Sequence, residues 1–252
     1  MHINTPIILD GIRKTTTLKD RTAVLHNCYH DEVAFVFSCG PSLTKVFNDN
    51  VAHYLRNRLV VSVKSAYNLV GSMTDLYLMN PVRVPVLTEP FSTHTIKVCS
   101  SHLWHDNMLD MLCQGCDVFY PIAGCPLDQS MVAQGTEHAF DRAAFPKPGC
   151  VVPPRPWGPG VLLDVGLFLL VHMGVRRIIV VGWDMGDKVY THYDNAHNMF
   201  NEEGIALETE MAKKATRALV QWMKNRGVAL QLCSPLSVLP IPQIPVEELI
   251  RA

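Results

Sequence analysis

After an apolar run that ends at Gly182, the stretch "WDMGDKVYTHYDNAHNMFNEEG" gathers Asp184, Asp187, Tyr190, His192, Tyr193, Asp194, His197, Glu202 and Glu203. A histidine can take a proton from a hydroxyl near neutral pH, and a neighbouring carboxylate can fix its tautomer. His192, His197 and Glu202 are therefore candidates for acid–base work. The pair Asp184 and Asp187 in "DMGD" could also hold a divalent metal, although that spacing is specific to none. The same chemistry could lie idle on a polar surface loop.

Two further stretches offer groups for an anion. In "VFSCGPSLTKVF", Val36 to Phe47, a strand-like run breaks at Gly40-Pro41 and resumes with helical spacing. Proline suits the first helical position, so Ser42, Leu43 and their backbone N–H groups are expected to face outward at a positive helix end. The plainer reading is a strand-to-helix turn capped by Ser42. The second stretch, "PRPWGPGVLLDVGLFLLVHMGVRRIIVVGWD", again feeds a Pro/Gly-rich loop into a helix and then a strand. Asp164 sits about one turn into that apolar helix, where an ionised side chain is costly unless it is paired or faces a polar cavity. It reads either as a capping or ion-paired residue or as a group projecting into a cleft.

These groups need a frame. The runs "VAFVFS", "LVVSV", "DLYLM", "TIKVCS", "CDVFY", "RIIVVG" and "VALQLC" read as strands, and most lack polar alternation. Such runs suit strands covered on both faces, so the fold expected is α/β, Rossmann-like, with a mostly parallel central sheet flanked by helices. In open sheets of this kind ligands bind outside the carboxyl ends of the strands, where all three stretches would lie. The clearest helices are "GVLLDVGLFLLVHMG" and "NEEGIALETEMAKKATRALVQWMKNRG", the latter with a stripe of Leu207, Met211, Leu219, Trp222 and Met223. Residues 124–157 and 184–201 break the rhythm and read as functional loops. The proline-punctuated tail is expected to lie over the surface.

The chain has 252 residues, 48% of them apolar, which is enough for one large domain. Net charge is −1, so no overall basic field draws it to nucleic acid or anionic lipid. The first twenty residues lack a basic region before an apolar run, and no apolar run reaches spanning length. Eight cysteines lie scattered, several in strand-like runs, which fits a reducing cytoplasmic setting. His102, His105, Cys113 and Cys116 have pairwise separations that zinc sites use, but a single CxxC is a weak signal.

Together the three stretches resemble the sialylmotifs of sialyltransferases and the related Kdo transferases, in the family's order and over most of the chain. "GPSL" is similar to the turn at the first strand's end, "WGPGVLLDVGLFLLVHMGVRRIIVVGWD" resembles the short sialylmotif, and "HYDN" with His197 and Glu202 is similar to the last two motifs. Cys39 stands where the family has asparagine in the first turn, and Lys64 with Ser65 follows the second strand in place of another.

The resemblance implies a single glycosyltransferase domain over 1–252, with nucleotide-binding elements at about 33–80 and 155–184 and a catalytic loop at about 184–203. It implies a CMP-activated sugar donor, a glycan or glycolipid acceptor, no further cofactor and no metal. Association with a membrane through such an acceptor or a partner fits the same reading. Gly40, Pro41, Ser42, Leu43, Lys64, Ser65, Trp157, Gly158 and Gly160 would hold the nucleotide. His192 would contact the phosphate and His197 would be the base; in a retaining enzyme Asp164, or second Asp184, would be the nucleophile. A "GPSL"-like turn also occurs in pterin pyrophosphokinases and flagellin-modifying proteins, where "DMGD" with Asp75 would hold magnesium. A non-catalytic nucleotide-binding module is the third reading.

Overall fold

Valine, isoleucine, leucine and phenylalanine crowd each strand-like run, and a strand without polar alternation is stable only where both faces are covered. That condition is met in the computed structural model, which describes residues 1–80, 86–101, 115–121, 160–186, 193 and 202–251, without the side chains of 101, 121, 164 and 202–205. The strands are β1 (Val33–Phe37), β2 (Leu59–Val63), β3 (Leu76–Met79), β4 (Ile96–Ser101), β5 (Val118–Pro121), β6 (Arg177–Val181) and β7 (Ala229–Cys233). They form one sheet in the order β5-β4-β3-β2-β1-β6-β7, and every pairing is parallel. The order reverses between β1 and β6, so the switch point of the sheet lies there.

The described helices are α1 (Thr5–Arg13), α2 (Leu18–Leu25), α3 (Leu43–Val46), α4 (Asp49–Tyr54), α5 (Tyr67–Val70), α6 (Leu167–His172), α7 (Glu202–Lys224) and α8 (Val246–Leu249). One sheet face presents Ala34, Val36, Val61, Val63, Leu78 and Val180 to α1, α2, α6 and α7. The opposite face presents Phe35, Phe37, Val60, Ile179 and Val181 to α3, α4, α5 and α8. Strand alternation thus divides each apolar run between two cores.

Three expectations change. The helix before β6 begins as a π-turn, Leu162–Gly166, and becomes α-helical only at Leu167. Such turns are rare and are frequently found at functional sites. On α7 the buried stripe is Met211, Leu219, Trp222 and Met223, whereas Leu207 is 46% exposed. The proline-punctuated tail does more than cover the surface. Leu232 donates its N–H to the Pro242 carbonyl at 2.8 Å, Ile244 donates to Leu232 at 2.7 Å, and Leu239, Ile241, Ile244 and Leu249 are buried. The tail therefore caps the β7 edge, which would otherwise expose unpaired backbone.

Candidate functional site

Parallel strands place all their carboxyl ends on one side, and the turns leaving β1 and β6 meet there. Ser38 donates its N–H to Val181 at 2.8 Å, and Gly40 donates to the Gly182 carbonyl at 2.7 Å. This contact needs two glycines. A Cβ on Gly40 would fall inside contact distance of the Gly182 carbonyl and the Asp184 carboxylate. Gly182 has φ +72°, and a Cβ there would lie 2.8 Å from the Ser38 carbonyl.

Asp184 closes the junction. Its carboxylate accepts the Ser42 N–H at 2.6 Å and the Ser42 hydroxyl at 2.7 Å, and its residue is 3% exposed. Burial pushes the carboxyl up from its ordinary value, and the two bonds from Ser42 and the nearby Lys45 charge act in the opposite direction. This corrects the outward-facing picture of the turn. Ser42 and Leu43 are fully buried, Ser42's donors are occupied by an internal carboxylate, and α3 is only four residues long. Of Gly40 to Leu43, Pro41 alone is partly exposed. Asp184, with both oxygens held by Ser42, is arranged as a strut between two turns.

The start of the loop after β6 is fixed on several sides. Trp183 donates its N–H to Ser234 Oγ at 3.0 Å, Met185 accepts from Val238 at 2.8 Å, and Gly186 accepts from the Thr209 hydroxyl at 2.9 Å. Tyr193, the described member of "HYDN", spans the ends of β1 and β2. It donates its N–H to Cys39 at 2.8 Å and its hydroxyl to the Ser65 carbonyl at 2.7 Å. Cys39 joins the same two ends by donating its thiol to the Val63 carbonyl at 3.1 Å.

Beyond β1 the mouth changes character. Ser65 follows β2, Asn80 follows β3 and Ser100 lies near the end of β4, and all three are buried. Among the described residues, Ser65 Oγ, Asn80 Oδ1 and Ser100 Oγ have no hydrogen-bond partner. Buried polar atoms are rarely left this way, because each forfeits its hydration for nothing. Neighbouring strands lie about 4.8 Å apart, so three adjacent strand ends offer hydrogen-bonding atoms over roughly 10 Å. Ahead of Ser65, Lys64 has φ +49°. Sequence reasoning singled out Lys64 and Ser65 but missed Asn80 and Ser100, whose signal is a polar residue closing an apolar run in "LYLMN" and "KVCSS".

The remaining predicted residues fall as follows. Gly160 leads into the π-turn, with no described atom within 4 Å of where a Cβ on it would lie, and Asp164 lies within that turn, its side chain outside the description. Glu202 begins α7, likewise without a described side chain. His192, His197, Asp187, Trp157 and Gly158 lie outside the described residues, as do His102, His105 and Cys113 of the zinc reading. Among the described residues no group of three or more metal-ligating side chains occurs. Asp75 immediately precedes β3, at the amino end of the sheet, and its carboxylate accepts from the His2 N–H, the Thr5 hydroxyl and the Val60 N–H. Four residues of strand, about 13 Å, separate it from the carboxyl-end mouth, so it cannot share a metal with Asp184.

Fold and mouth together define an open, parallel α/β protein with its candidate ligand site at the switch point and along β2 to β4. No family model matches the chain, and no curated protein matches it. Among solved structures it is similar to the sialyltransferase CstII from Campylobacter jejuni, described in complex with a substrate analogue, cytidine-5'-monophosphate. The identity is 12%, each chain is covered over 86% of its length, and the TM-score is 0.47. A likeness at that level assigns neither a donor nor a residue role to this chain. Among the described residues, no helix is long and apolar enough to cross a membrane.

Proposed function

We propose that the chain is a glycosyltransferase that moves a 2-keto sugar acid, sialic acid or Kdo, from a CMP-activated donor to a hydroxyl of a glycan or glycolipid. The observation that carries this reading is the set of buried oxygens of Ser65, Asn80 and Ser100, unpartnered among the described residues, at the carboxyl ends of adjacent strands. They suit a ligand rich in hydroxyl, carbonyl and amine groups, as a nucleoside and a sugar both are. The sialylmotif-like order of the three sequence stretches supports the choice of donor.

In this mechanism the donor lies across the mouth, and Gly160, Trp157 and Gly158 are among the residues that hold it. His197 takes the acceptor proton as the acceptor oxygen bonds to the anomeric carbon. The bond from that carbon to the CMP phosphate breaks, its electron pair leaves on the phosphate, and His192 balances the charge that develops there. Glu202 orients the base. In a retaining variant of the reaction the Asp164 carboxylate would bond to the anomeric carbon as CMP leaves, and the acceptor oxygen, losing its proton to His197, would then displace that carboxylate. Asp184 is poorly suited to that task, because both its oxygens already accept from Ser42.

The pyrophosphokinase reading loses Asp75 from its magnesium ligands, since Asp75 and Asp184 lie at opposite ends of the sheet. A binding-only module remains the alternative that experiment must separate. The test is CMP release from CMP-sialic acid and from CMP-Kdo, with and without a glycan acceptor, for wild type and His197→Ala. Release by wild type and its loss in the variant, with CMP still bound, is the expected result. Binding of CMP with no turnover of either donor would leave the binding module.

A further inference from the structure

The chain that leaves β6 is tied back to the sheet at two described residues. The first is Asp184, whose carboxylate holds Ser42 in the turn after β1. The second is Tyr193, further along, which reaches one strand beyond. Its N–H donates to the Cys39 carbonyl at 2.8 Å, and its hydroxyl donates to the Ser65 carbonyl, just after β2, at 2.7 Å. Since β6, β1 and β2 are consecutive in the sheet, the two ties lead from the switch point towards the mouth at β2 to β4.

Tyr193 is fixed at both ends of its side chain. The ring is half-buried and packs against the apolar cluster that includes Phe37, Leu43 and Ala66. Its hydroxyl bond has the ordinary length for an O–H donor and a carbonyl. A tyrosine on a surface loop could give that proton to water; this one spends it on the backbone of Ser65, one of the residues assigned above to the donor. In the sequence Tyr193 follows His192 directly. A histidine that balances charge on a departing phosphate must act from a set place, because misplacement by about 1 Å can cost about a hundredfold in rate.

We propose that Tyr193 is a positioning residue for His192, its hydroxyl bond to the Ser65 carbonyl setting the histidine against the donor held at β2. Resting on the function proposed above, this gives the tyrosine no contact with substrate. It acts through its neighbour, so its influence belongs to the step in which the phosphate leaves and not to the binding of CMP.

The test is a double-mutant cycle on CMP release from CMP-sialic acid and CMP-Kdo, using wild type, Tyr193→Phe, His192→Ala and the double variant, with CMP affinity measured by calorimetry. Phenylalanine keeps the ring and the backbone bond and removes only the hydroxyl. Tyr193→Phe should lower kcat about tenfold in the wild-type background and less than about twofold in His192→Ala, with CMP affinity within about twofold throughout. A tyrosine that only braced the fold would lower kcat equally in both backgrounds, or lower CMP affinity along with it. Either of those results would overturn the inference, as would an unchanged kcat in Tyr193→Phe. A wild type that binds CMP but turns over neither donor would instead sink the transferase reading, and the inference with it.

Discussion

The Asp75 network at the amino end of the sheet and the mouth at the carboxyl ends of β2 to β4 handle buried oxygens in different ways. At the amino end, Asp75 receives three hydrogen bonds, from His2, Thr5 and Val60, and Thr5 shares a further bond with the Tyr29 hydroxyl at 2.7 Å. His2 Nε2 also lies 3.1 Å from Glu32. That network ties α1 to β2 and β3. At the carboxyl end, by contrast, Asp184 is satisfied by Ser42, yet Ser65, Asn80 and Ser100 beyond it are not. A satisfied network holds a fold together; on the function proposed above, the oxygens without a partner among the described residues are met by ligand.

The comparison can be broken most severely at Asp75. Asp75→Ala would leave two backbone N–H groups buried without an acceptor and the Thr5 hydroxyl with only Tyr29, which should cost about 3–5 kcal/mol in urea unfolding. CMP affinity per folded molecule should be unchanged, since this end only stabilises. Gly40→Ala should act on the other end. Its Cβ cannot share space with the Gly182 carbonyl, so the β1 and β6 turns must part, at a cost of about 2 kcal/mol or more. Here CMP binding should fall with stability, and a stable variant with full CMP affinity would show that the junction is not part of the site.

A smaller effect lies in the pH dependence. Burial raises the carboxyls of both Asp75 and Asp184 above the ordinary 3.8. The folded chain then holds those protons more tightly than the unfolded chain, so each group lowers stability as pH rises from about 3.8 through its raised value. Asp184→Asn removes one of the two contributions. Its unfolding free energy should decline less steeply over that interval than wild type, and an identical slope would mean that Asp184 is not held in this buried state.

How much of this was legible in the sequence follows from the range of each interaction. All seven strands could be read because a buried parallel strand is an unbroken apolar run. The helices α1 and α2 could not, since α1 buries only Thr5, Ile8, Leu9 and Ile12 and leaves Ile3 before it and Ile7 within it exposed. Gly40, Ser42 and Asp184 were found as positions, but the bond between Ser42 and Asp184 joins residues 142 apart and only the sheet order brings them together. The π-turn around Asp164 has no sequence signal comparable to helical periodicity. Asn80 and Ser100 were passed over because each looks like the ordinary polar end of a strand, and only burial without a partner marks them out.

The most direct measurement is the thermal midpoint of wild type, Ser65→Ala and Asn80→Leu, each with and without CMP. If these oxygens are completed by ligand, the variants should melt at or above the wild-type midpoint when free, because a desolvated and unsatisfied group has been removed. They should also lose most of the rise that CMP gives the wild type. Variants that melt lower when free and keep the full CMP-dependent rise would contradict the account, by showing that Ser65 and Asn80 hold the fold and leave the ligand to others.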